Sequence, residues 1–84
     1  MKIIAVTDDK MEHSQLLDTL LAIEPFIDAV ILREKSKMDS EIIALIQQLI
    51  ESGFDSTKLI VHGRTNVASI TGIKKFNYPD TTYR

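Results

Sequence analysis

Two cations, Arg33 and Lys35, follow the apolar run Ile27 to Leu32. Residues two apart on extended backbone point the same way. A planar guanidinium fork beside a compact ammonium suits a phosphate or diphosphate. The competing reading is a solvated basic strand end with Glu34 or Asp39 as counter-ion. A second constellation, His62-Gly63-Arg64, closes the run that starts at Lys58. His62 has the chemistry of a general base or ligand hydrogen-bonder, or of a structural polar group at a strand end. Gly63 permits close backbone approach, or only a tight turn. Asp8 and Asp9 close the first apolar run; carboxylates there serve as metal ligands or bases, or start a turn and cap a helix. Asn77 ends the set. There is no GxGxxG or GxxxxGK[ST] loop, no Gly-x-Ser-x-Gly elbow and no His/Glu metal motif. Without cysteine there is no disulfide, thiolate metal site or thiol nucleophile, and His13 and His62 are too far apart to suggest zinc. The residues themselves call for no cofactor.

The hydrophobic period places these residues. Lys2 to Val6 is predicted as a short strand. Helical spacing begins at Met11, with Leu16, Leu17, Leu20 and Leu21 on one face and Ser14 or Asp9 as the start signal. Glu24-Pro25 ends that helix. His13, near its start, reads as solvated. Phe26 to Leu32 is a second strand, with Asp28 at its entry. Asp39 reads as the N-cap of a helix with an apolar stripe of Ile42, Ile43, Leu45, Ile46, Leu49 and Ile50. Gly53 stops it. Lys58 to His62 is a third strand, and Thr65 or Asn66 caps a short helical turn ended by Thr71-Gly72. Ile73 to Tyr78 is a fourth strand, blocked by Pro79. The order β-α-β-α-β-α-β predicts right-handed crossovers and an α/β fold with a parallel sheet. In such a sheet every strand end shares one edge, so Asp8, Arg33, Lys35, His62, Arg64 and Asn77 converge there.

The whole chain, 84 residues, reads as a single domain. Hydrophobic residues make up 44% and charged residues 26%, a globular balance rather than a disordered one. A formal net charge of −2 gives no basic field to recruit nucleic acid. No apolar run approaches a membrane span, and the N-terminal run is too short for a signal peptide, so a cytoplasmic location is expected.

Three segments together resemble the thiamine-phosphate synthase/TenI family of (β/α)8-barrel proteins in thiamine biosynthesis. They are Val6-Thr7-Asp8, Leu32-Arg33-Glu34-Lys35-Ser36, and Leu59-Ile60-Val61-His62-Gly63-Arg64 with Asn66-Val67-Ala68. The resemblance implies the first half of a TIM (β/α)8 barrel. It also implies that Arg33 and Lys35 hold the phosphate of a phosphorylated thiazole or pyrimidine, with His62, Arg64 and Asn77 around it. The synthases carry a glutamine where this chain has Ile31, and Asn-Asp where it has His62-Gly63. Gly63 has no side chain to ligate magnesium, so the Gly-Arg pair points to the TenI branch, which includes thiazole tautomerases. That branch's general acid/base histidine lies in the other half of the barrel, and His62 is not its counterpart. Half a barrel leaves two open edges and a face without its opposite layer. Pairing of two copies as a homodimer is the simplest closed solution. The alternative function is a non-catalytic, self-associating or regulatory half-barrel module.

Overall fold

Ala29-Val30-Ile31-Leu32 is the second of four short strands in a computed structural model that describes residues 2–76. Successive strands β1 (Ile4–Val6), β2 (Ala29–Leu32), β3 (Leu59–His62) and β4 (Lys74–Phe76) lie side by side in sequence order, all parallel. Between them run the helices α1 (His13–Ile23), α2 (Asp39–Glu51) and α3 (Thr65–Thr71). The fold is α/β, a half-barrel-like β-α-β-α-β-α-β unit, as the alternation of periods requires.

A chain that advances strand by strand with right-handed crossovers must lay every helix on one face of the sheet. The buried core confirms that arrangement. Val30, Leu32, Leu59 and Val61 of the sheet meet Leu16 and Leu20 of α1, Ile42, Leu45, Ile46 and Leu49 of α2, and Val67 of α3. The intervening strand positions point the other way. Val6, Ile31, Ile60 and Lys74 form one cross-strand row, in register, on the bare face. Ile4 is 53% exposed and Val6 54% exposed, although both lie in a strand. Ile31 is buried but stands outside the helix-side cluster. Parallel sheets normally have both faces covered, and this one has a single cover among the described residues.

Boundaries shift from the expected ones for local reasons. Glu24–Phe26 forms a 3-10 turn with Pro25 inside it, so β2 starts at Ala29 and Phe26 is exposed instead of opening the strand. Pro25 stops the α-helical ladder but its fixed φ carries the tighter turn one residue further. β1 covers Ile4–Val6, shorter than Lys2 to Val6. Its entry is held by Asp28, whose carboxylate accepts the Ile3 N–H at 2.6 Å. α1 starts at His13, with Glu12 as N-cap, in place of Met11. The cap of α2 is Met38, whose N–H is taken by the Glu41 carboxylate at 2.7 Å; Asp39 is the first helical residue instead of the cap. Arg64, rather than Thr65 or Asn66, precedes α3 as its cap residue. His13 is not left to solvent: its Nε2 lies 2.6 Å from Gln48 Oε1 and ties α1 to α2. The expected continuation of strand four through Asn77 and Tyr78 falls outside the described residues. Among the described residues no helix is long and apolar enough to cross a membrane.

Candidate functional site

Among the described residues, the C-terminal edge of the sheet is built by the loops that leave β1, β2 and β3. Thr7, buried at the end of β1, fixes the first two together. Its N–H donates to the Ile31 carbonyl at 3.0 Å, and its Oγ1 accepts the Arg33 N–H at 2.8 Å. Arg33 therefore leaves β2 directly after the Leu32–Val61 pair with its side chain exposed, at the edge where His62 of β3 pairs with Phe76 of β4. The His62 and Phe76 rings are 6.5 Å apart at a tilt of 40°.

Past Arg33 the extended path lasts one residue more. Glu34 turns inward and is only 2% exposed. The Lys37 N–H then returns to the Glu34 carbonyl at 3.2 Å, closing a turn that carries Lys35 and Ser36 at its tip. Spacing alone thus stops dictating a shared direction for Arg33 and Lys35, although both are exposed on this edge.

Around that turn the remaining charges are paired with one another. The Glu34 carboxylate accepts the Lys37 Nζ at 2.6 Å and the Asp9 N–H at 2.9 Å. Lys37 Nζ also donates to the Met11 carbonyl at 2.9 Å and stands 3.7 Å from Asp9. Asp9 accepts the Ser36 N–H at 2.9 Å and the Ser36 hydroxyl at 2.7 Å. It adopts φ +63°, a conformation that aspartate tolerates better than most residues. Arg64 reaches in from the third loop: Nη1 donates to Asp39 at 2.6 Å, and Nη2 to the carbonyls of Glu34 at 2.6 Å and Lys37 at 2.5 Å.

Of the residues expected here, Arg33 and His62 each follow one member of the Leu32–Val61 pair and so lie at the same edge, and Lys35 stands in the adjoining turn. Arg64 is directed into the second loop, and Asn77 lies outside the described residues. Neither expected counter-ion serves Arg33 or Lys35, because Glu34 pairs with Lys37 and Asp39 with Arg64. Asp8 is exposed and, among the described residues, accepts a local N–H from Lys10 at 3.3 Å. Glu34, Lys37 and Thr7 are the residues that sequence reasoning passed over. The signal for Glu34 was present: Leu32 faces the helices, Arg33 faces away, and strict alternation turns Glu34 back inward. Among the described residues no group of His, Cys, Asp or Glu is placed to hold a metal ion.

The pairing shifts two titrations. The Ser36 hydroxyl, with the Ser36 N–H and the Lys37 charge, holds the Asp9 carboxyl below its usual range. Hydrogen bonding to Glu34 pushes Lys37 up. A depressed carboxyl stabilises the fold above its unfolded pKa of about 3.9, and that contribution is lost as pH falls through the folded value. A raised lysine stabilises below about 10.4 and loses its contribution as pH rises through the folded value. Asp55, held low by the Thr57 hydroxyl and N–H, adds to the acid side. Urea midpoints are expected to be flat between those limits and to fall beyond each, with Ser36→Ala reducing the acid-side loss. An acid limb identical in that variant would remove Asp9 from the account.

No protein-family model matches this chain, and no curated protein matches it.

Proposed function

We propose that this chain is a cytoplasmic, TenI-like protein of thiamine biosynthesis, of thiazole tautomerase-like ancestry. It binds a phosphorylated thiazole or pyrimidine at the C-terminal edge of its parallel sheet. One observation carries the reading. The charges of Glu34, Lys37, Asp9, Asp39 and Arg64 are consumed in pairs, while the Arg33 and Lys35 side chains have no protein partner among the described residues. Two uncommitted cations at the ligand-binding edge of a parallel sheet suit an anion. His62 and Phe76, paired across β3 and β4, lie at the same edge of the sheet. Calorimetric titration with the phosphorylated thiazole is expected to show saturable binding. Arg33→Ala should weaken it by about tenfold or more, the worth of one charge-assisted contact. Undiminished binding in that variant rejects the assignment.

A second reading is favoured by the bare face: a non-catalytic module that pairs with a second copy of itself. Ile4 and Val6 are apolar, exposed and beside an open strand edge. Two copies of a four-stranded parallel unit can match their free edges around a two-fold axis and cover each other's bare faces. Light scattering is expected to give the mass of a dimer, and Val6→Lys to give a monomer. A monomeric wild-type protein removes this reading.

A further inference from the structure

We infer that Arg64, acting with Glu34 and Lys37, is a positioning residue that holds the Glu34–Lys37 turn open to an anion without touching the anion itself. The inference rests on the proposed role of Arg33 and Lys35, and it reassigns Arg64 within that site.

The geometry is specific. A single guanidinium nitrogen, Arg64 Nη2, donates to the carbonyls of Glu34 and Lys37, the first and last residues of the turn. The other terminal nitrogen is held by Asp39, at the start of α2. Inside the turn, the buried Glu34 carboxylate binds the Lys37 ammonium and the Asp9 N–H. On its remaining side Ser36 is fixed twice by Asp9. Three of the four turn residues are therefore anchored, Glu34 and Lys37 by Arg64 and by each other and Ser36 by Asp9, and Lys35 at the tip is the exception. The anchors come from the loops after β1 and β3, so the shape of the second loop is set by its two neighbours. A turn held this way presents Arg33 and Lys35 without the ordering cost that a mobile loop incurs on binding. Arginine fits because its two terminal nitrogens, fixed apart in one plane, reach the two carbonyls and the Asp39 carboxylate at once, a spread that a single ammonium nitrogen lacks.

The test uses inorganic diphosphate as the probe, titrated into wild type, Arg64→Lys, Arg33→Ala and the double variant. Arg64→Lys keeps the charge and is expected to weaken binding about tenfold, the scale of a site left slightly loose. In the Arg33→Ala background the same change should have a smaller effect, since only Lys35 is then left for the held turn to present. An equal loss in both backgrounds would mean that Arg64 touches the anion, and no loss in either would mean that it serves stability alone; each overturns the inference. A second measurement needs no ligand. Amide exchange of Asp9, Ser36 and Lys37 is expected to speed up in Arg64→Lys while the amides of β2 and β3 keep their protection. Unchanged loop exchange overturns the clamp. If wild type fails to bind diphosphate, the site reading and the anion part of this inference fall together, and the exchange experiment still decides the clamp.

Discussion

Glu34→Ala is expected to destabilise the protein by about 3 kcal/mol, the usual cost of removing one partner from a buried ion pair. The carboxylate side chain is 1% exposed and its Lys37 partner 12%. Removing it leaves a mostly buried ammonium with only the Met11 carbonyl and the more distant Asp9 carboxylate among the described residues, and leaves the Asp9 N–H without its acceptor. The loss should appear as a lower urea midpoint with an unchanged slope. Glu34→Gln, which can still accept the Asp9 N–H, should lose less. Replacing both partners, Glu34→Leu with Lys37→Met, should recover much of the difference, because a well-packed apolar pair carries no desolvation debt. A loss below about 0.5 kcal/mol in Glu34→Ala, the range of an ordinary surface change, would show that the pair is solvated in solution.

Leu49→Ala is expected to cost about 3 kcal/mol, whereas Val6→Ala in a monomer should cost no more than about 0.5 kcal/mol. Leu49 is fully buried in the layer between α2 and the sheet, where truncation removes transfer energy and leaves a cavity. Val6 has an equally apolar side chain in a strand, yet it faces the uncovered side of the sheet. The contrast measures the inequality of the two faces. A Val6→Ala loss comparable to that of Leu49→Ala, and dependent on protein concentration, would mean that a second copy covers the bare face.

The architecture was legible because helix and strand periods differ so clearly here. The stripe from Ile42 to Ile50 can only be a helix with one buried face, and α2 ends within two residues of the glycine expected to stop it. The short β-rich runs between helices left parallel pairing as the natural solution, and that is the pairing found. Less visible was the inside of the second loop. Arg33-Glu34-Lys35 reads as three surface charges when each residue is taken alone, and pair formation with Lys37 and Asp9 depends on contacts between segments far apart in the chain. Arg64 illustrates the same limit: residue type suggested an anion contact, and only the fold reveals that its donors turn to backbone carbonyls. Phe26 was misplaced for a local reason. A proline ends an α-helix without dictating that a strand must begin at once.

The order β1-β2-β3-β4 has a consequence for how such a chain can change length. Among the described residues each strand pairs only with its neighbours in sequence, and α1 packs on α2 and α2 on α3. No described strand is inserted between two earlier ones. Stability is then close to a sum of neighbour terms, as in solenoid repeats. A further βα unit can be appended at either rim, or one removed, without severing any pairing that remains. Duplication or loss of whole units is therefore the change in sequence that this architecture accommodates most easily.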